Sequence, residues 1–305
     1  MTTGNIQTGK KQLLTIVLFT GIGVILTGAL SLCFRPYTEH GYQYQDVQKK
    51  QEEFRYLEDQ KDVVFLGDSI AWAAYSPEYF WQETGIPSYS LATSGQWIGD
   101  GDLILESYLD HQTPRIAVLD ANSLYTRLSR AKYMLSQVLP VFHYHFAYMA
   151  PMGPEVKDPR RGFNSSEVIS PYTGDPAYMN AEIPLQPMSS MAEEKLNQMD
   201  DVCRRKGITL VLSCAPNPSA WNRGRHDAVQ AWCDSHQVEF IDYNLSDIGI
   251  DWQTDTRDGG EHLNDSGAHK VCSHLSRHLF ETYGMTDHRH DEKYQEWNKE
   301  YGGGN

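Results

Sequence analysis

The sequence predicts an α/β domain, a central parallel sheet with helices on both faces, preceded by an N-terminal membrane-spanning helix. Three observations predict it. Short apolar runs alternate with helical patterns at close spacing, which is the mark of βαβ units. The first run, Val63-Val64-Phe65-Leu66, passes straight into Gly67-Asp68-Ser69, as a buried strand ending in a sharp turn would. Leu13 to Phe34 is uncharged and mostly apolar, and at about 20 residues it is long enough to cross a bilayer core.

Residues 1–12 are polar and end in Lys10-Lys11. A cleaved signal peptide would have a shorter apolar part and small residues at the cut site, so 13–34 is read as an uncleaved anchor. Two lysines before it against Arg35 after it place residues 1–12 in the cytoplasm and the rest outside. Residues 35–61 are polar and read as a stalk. The domain is expected over 62–284. Its strands are Val63–Leu66, Ser88–Leu91, Arg115–Asp120, Ile208–Ala215 and Val238–Asp242, each a short apolar run bounded by turn residues. Helices are expected from Ile70, over Pro77–Glu83, Ile98–Leu109, Ser190–Lys206 and His226–His236, and from Asp265 onward. Ser190 and Glu193 have capping-box spacing, and Gly207 stops that helix. In the last helix Ala268, Val271, Cys272, Leu275 and Leu279 share one stripe. Residues of about 123–187 are irregular and read as an insertion covering one edge of a site. Residues 285–305 are charged, end in Gly-Gly-Gly-Asn, and read as a flexible tail.

The chain carries 40 acidic against 26 basic residues, a net charge of -14. No basic stripe is visible, which argues against a nucleic-acid partner. Five cysteines show no metal-type spacing, and their apolar surroundings favour buried thiols, with a Cys203–Cys233 bridge left open.

In a parallel sheet the loops at the strands' carboxyl ends gather on one edge. Here those loops hold Ser69, Gly95 and Asn122, and a later loop, Asp258-Gly259-Gly260-Glu261-His262-Leu263-Asn264, precedes the last helix. Acyl transfer needs a nucleophile, a base, a carboxylate to orient it and donors for the oxyanion. Ser69, His262 and Asp258 can supply the first three. The N–H groups of Ser69 and Gly95 and the side-chain amide of Asn122 can supply the donors.

These residues resemble the SGNH (GDSL-like) hydrolase superfamily. Gly67-Asp68-Ser69 matches its nucleophile block, Gly95 its glycine donor, Asn122 its asparagine, and His262-Leu263-Asn264-x-x-Gly267 its last block. The resemblance covers roughly 61–125 and 205–282. It implies a flavodoxin-like three-layer sandwich and an esterase, lipase or carbohydrate O-acyltransferase that needs no cofactor. Two positions depart from the pattern. The family's acid lies three residues before the histidine, where this chain has Gly259, so Asp258 is expected to serve, with Glu261 and Asp255 as alternates. The third block reads Asp120-Ala121-Asn122-Ser123, so Asn122 is either a donor or a turn cap.

The layout of anchor, exterior domain and insertion is similar to membrane-tethered partners of multipass O-acyltransferases, among them alginate and peptidoglycan acetylation proteins and the DltD type. That likeness implies a cell-envelope polymer substrate and a multipass membrane partner. The rivals are a non-catalytic polymer-binding scaffold and a secreted esterase cut near residue 34. Trp72 and Trp97 lie near the expected loops and could stack on sugars, as could the more distant Trp81 and Trp221, though packing is the commoner use. His143 and His145 are read as lining the cleft rather than holding a metal, because no third ligand is evident. Arg127, Arg130, Arg160 and Arg161 could grip an anion or serve as solvated charge.

Overall fold

The computed structural model describes residues 3–33, 50, 53, 57, 59–126, 158 and 160–302. It divides into two units, treated separately. In the first, α1 (Thr3–Cys33) contains an apolar span, Lys11–Leu30, with mean hydropathy 2.3. Its side chains are exposed all round, Phe19 by 80 %. Length and composition qualify it as a membrane span or as an N-terminal signal sequence. Most of the expected stalk lies outside the described residues.

The second unit is built on five strands: β1 (Val63–Leu66), β2 (Ser88–Ser90), β3 (Ile116–Asp120), β4 (Thr209–Cys214) and β5 (Glu239–Asp242). Their order is β2-β1-β3-β4-β5 and every pairing is parallel, which is the flavodoxin-like order. β1 and β3 are buried at every position, as strands covered on both faces must be. Between them the chain reverses its direction of travel across the sheet, so right-handed crossovers put the helices on opposite faces. α2 (Ser69–Ala74) and α3 (Pro77–Thr84) pack on α7 (Asp265–Tyr283). α4 (Ile98–Leu109) packs on α5 (Ser190–Lys206), and α6 (Arg223–His236) lies against β5. Phe65, Val118, Val211, Leu275 and Leu279 join sheet and helices in one core.

The elements follow the apolar runs to within a few residues. The cap of α5 is Ser189 rather than Ser190. The Ser189 hydroxyl accepts from the Ala192 N–H at 3.1 Å, which makes Ser190 the first helical residue. Cys203, Cys214, Cys233 and Cys272 are free and buried.

The larger correction is at the C-terminus. Residues 285–302 are not a solvated tail. Tyr294, Trp297 and Tyr301, at i, i+3 and i+7, pack with Trp81 of α3 into a second buried cluster through α8 (Gln295–Tyr301). The Trp297 indole donates to Asp59, and the Tyr294 hydroxyl to the Gln60 carbonyl at 2.7 Å. His288, inside the charged run, contacts both Asp62 and Asp291. The charges between 287 and 293 hid an aromatic stripe whose burial outweighs their cost of ordering.

Trp297→Ala is therefore expected to cost about 3–5 kcal/mol, read as a lower urea midpoint. An unchanged midpoint would mean that the segment is solvated after all.

Candidate active site

Ser69 is placed by a turn that only glycine fits. Gly67 has φ +146°, and a Cβ on it would lie 2.6 Å from that of Ala71 and 3.0 Å from that of Asp120. Asp68 then caps α2, its Oδ1 accepting from the Ile70 N–H at 3.0 Å. Ser69 is the first residue of α2, half-buried at the sheet's carboxyl edge. Its own N–H has no acceptor within the helix.

The partner loop is a small hairpin. Thr256 and Leu263 pair antiparallel, the Arg257 N–H donates to the His262 carbonyl at 3.1 Å, and Gly259 and Gly260 take positive φ at the tip. This folds Asp258 back over the neck. One carboxylate oxygen accepts from the His262 N–H at 2.8 Å, and the other lies 2.5 Å from His262 Nδ1. His262 Nε2 lies 2.8 Å from Ser69 Oγ. Ser69, His262 and Asp258 are thus one hydrogen-bonded chain. The two alternates stand aside. Asp255 is fully buried and is bound by Lys270 at 2.6 Å, the Asp251 N–H at 2.7 Å and the Ser266 hydroxyl at 2.8 Å. Burial pushes its pKa up, but these donors outweigh that and hold it below the usual carboxylate range. Glu261 is exposed.

The loop is stapled in place by residues 164–172, part of the expected insertion. The Ser166 N–H and Ser165 hydroxyl donate to Asp265 at 2.7 and 2.6 Å. The Ser170 N–H donates to the Thr256 carbonyl at 2.8 Å, and the Ser170 carbonyl accepts from the Gly259 N–H at 3.1 Å. Asp258, Glu261 and His262 offer ligand atoms within 4.8 Å of one another. Both nitrogens of His262 are already engaged, so a cation there would have to break the chain.

Beneath Ser69 lies buried negative charge. Asp120, at the end of β3, is wholly buried. It accepts from the Tyr75 hydroxyl (2.7 Å), the Ala215 N–H (2.9 Å), and the N–H and side-chain amide of Asn122 (both 2.9 Å). Burial still raises its pKa against these donors. Asp68 has fewer partners, the Ile70 N–H and the Thr126 hydroxyl at 3.1 Å. Burial and then the neighbouring Asp120 charge push it up to about 7.

Other expected site residues fare differently. Asn122 is 4 % exposed and its amide points inward to Asp120 and to Cys214 Sγ at 3.4 Å. It is not available as an oxyanion donor, because the buried carboxylate is the stronger acceptor. Gly95 sits in the β2 exit turn with φ +61°. Trp97 is 4 % exposed and lies over Gly99 of its own helix, so it offers no open face for stacking. Trp72 is half-buried at the core margin. Trp81 and Trp221 are buried. Arg161 is buried over the Trp297 ring and paired with Glu300, while Arg160 is exposed. His143, His145, Arg127 and Arg130 lie outside the described residues. Sequence reasoning missed Asp120, Tyr75 and Gln96. The only advance sign of Asp120 was a charged residue closing a wholly apolar strand.

No family model and no curated protein matches the chain. Among solved structures it is similar to a GDSL-like lipase from Bacteroides thetaiotaomicron, with 12 % identity over 78 % of this chain and 99 % of that one (TM-score 0.43). It is also similar to the lipase/acylhydrolase from Enterococcus faecalis, with 12 % identity over 73 % and 97 % (TM-score 0.42). A psychrotrophic esterase from Pseudoalteromonas sp. gives 10 % identity over 74 % and 100 % (TM-score 0.40). At such identities and scores, any chemistry assigned to this chain rests on its own side chains.

The Asp68 carboxyl gives a signed pH dependence. Its pKa is raised in the fold from 3.8 to about 7. Between those values the folded state holds more of the proton than the unfolded state, so stability falls as pH rises. Asp68→Asn is expected to remove that slope. Relative to the variant, wild type should lose on the order of 3 kcal/mol between about pH 4 and pH 7. Urea unfolding at fixed pH values measures this, and parallel curves for the two proteins would refute it.

Proposed function

We propose that this chain is a serine esterase or O-acyltransferase that works through an acyl-Ser69 intermediate. The observation that carries this is the unbroken relay from Ser69 Oγ to His262 Nε2 (2.8 Å) and from His262 Nδ1 to Asp258 (2.5 Å). The Ser69–His262 distance is within the range that proton transfer needs, and the His262–Asp258 contact is short enough to orient the ring. In the first step Ser69 Oγ attacks an ester carbonyl while His262 Nε2 takes the hydroxyl proton. Asp258 fixes the ring with Nδ1 protonated and stabilises the imidazolium. The N–H groups of Ser69 and Gly95 are the donors for the oxyanion. His262 then returns the proton to the leaving alcohol, and the acyl group remains on Ser69. Water or a sugar hydroxyl, deprotonated by His262 in turn, releases it. Water gives hydrolysis and an acceptor hydroxyl gives transfer.

The N-terminal layout supports a location and a substrate class. α1 is read as an uncleaved anchor with its lysines in the cytoplasm, which puts the relay outside the membrane. There the available esters include those on cell-envelope polymers, and a multipass membrane acyltransferase is the matching donor partner.

A fluorophosphonate probe is expected to label the purified full chain, and Ser69→Ala to abolish labelling. Asp258→Asn is expected to lower kcat/KM on a small acetyl ester by roughly 10³–10⁴-fold. A well-folded protein that takes no label would instead be a non-catalytic scaffold.

A further inference from the structure

With the Asn122 amide committed to Asp120, the proposed oxyanion site has two donors, the backbone N–H groups of Ser69 and Gly95. Neither is carried on a side chain that could adjust. Their separation depends on how the β1 exit turn is joined to the β2 exit turn. Two main-chain bonds begin the join: the Leu91 N–H donates to the Phe65 carbonyl at 2.7 Å and the Thr93 N–H to the Gly67 carbonyl at 3.2 Å. Beyond them one side chain completes it. Gln96 is 2 % exposed. Its Oε1 accepts from the Gly67 N–H at 3.3 Å, two residues before Ser69. Its Nε2 donates to the Leu91 carbonyl and to Thr93 Oγ1, each at 3.0 Å.

Gln96 directly follows Gly95, and its N–H closes the same turn on the Thr93 carbonyl at 3.3 Å. α4 passes close to the amide, where a Cβ on Gly101 would lie 3.2 Å from Oε1. A buried amide with both ends hydrogen-bonded acts as a spacer. Gly67 has no side chain to hold it, since that space is filled by Ala71 and Asp120, so its carbonyl bond to Thr93 and its N–H bond to Gln96 do so.

We infer that Gln96 is a positioning residue of the oxyanion site, setting the distance between the Ser69 and Gly95 N–H groups. The inference rests on the acyl-serine reading above. Its consequence is selective. Donors aimed at an oxyanion act on the transition state, and errors of about 1 Å there cost roughly 10²-fold, whereas ground-state binding barely senses them.

The test uses Gln96→Met, which keeps the chain length without the hydrogen bonds. Gln96→Glu, which retains an acceptor for Gly67, is the second variant should the first fail to fold. On a small acetyl ester, kcat is expected to fall about 10–100-fold for Gln96→Met and less for Gln96→Glu, with KM within about twofold. Affinity for an alkylboronic acid, which forms a tetrahedral adduct on Ser69 Oγ, is expected to fall in proportion to kcat. Unchanged kcat, a parallel change in KM, or unchanged boronate affinity beside a lower kcat would each overturn the inference while leaving the esterase reading intact. A wild-type protein that neither turns over ester nor binds boronate would overturn both.

Discussion

The interaction on which the site depends is the burial of one carboxylate. Asp120 has no solvent contact, and taking such a group out of water costs several kcal/mol unless donors replace the lost hydration. Four do, and they come from three parts of the chain: Tyr75 just after α2, Ala215 just after β4, and both nitrogens of Asn122. The carboxylate therefore knots the carboxyl ends of β3 and β4 to the helix that carries Ser69. Its residue also lies under Gly67, where the Asp120 Cβ joins that of Ala71 in leaving no space for a side chain. The same knot takes the Asn122 amide out of the cleft. What looks in the sequence like a donor for chemistry is spent on holding the floor beneath it.

Above that floor, two segments far apart in the chain meet by different means. Ser69 is fixed from within the sheet, at the point where the strand order changes direction. His262 is fixed from outside it, by a hairpin laced to residues 164–172, which are themselves bonded to Asp265. The hairpin explains how Asp258 reaches His262 from one residue further away than the three-residue spacing. The Thr256–Leu263 pairing closes the neck, and two glycines with positive φ turn the tip. Asp258 and His262 then face each other across the neck. A three-residue spacing is one way to bring them together, and a four-residue spacing with a closed neck is another.

Strands, helices and the Ser69–His262 pair were legible because they are written in local patterns: apolar runs, helical stripes, a glycine before a serine. Asp258 was chosen ahead of Glu261 and Asp255 by nearness alone, and what sets Asp255 aside, its engagement with Lys270, is a tertiary fact. Asn122 stayed open between donor and turn cap because its orientation depends on a carboxylate two residues earlier and a thiol some ninety residues later. Trp97, read as able to stack on sugars though more often used for packing, takes the packing role, its ring folding onto its own helix. In the C-terminal stretch charge density masked three aromatics at helical spacing, which only the facing Trp81 turns into a core. Gln96 carried no pattern at all, since its three partners are two turns and a strand end that converge only in the fold.

The C-terminal aromatic clasp has a mechanical meaning. Trp297 and Tyr294 grip Asp59 and Gln60, the residues immediately ahead of β1. Further upstream Lys50 is tied to the Ser90, Ala92 and Gly162 carbonyls, so the approach to β1 is gripped at two places, with Arg161 stacked over Trp297 at the second. A pull on the chain ahead of β1 would thus load these contacts as well as the strand that ends at Ser69.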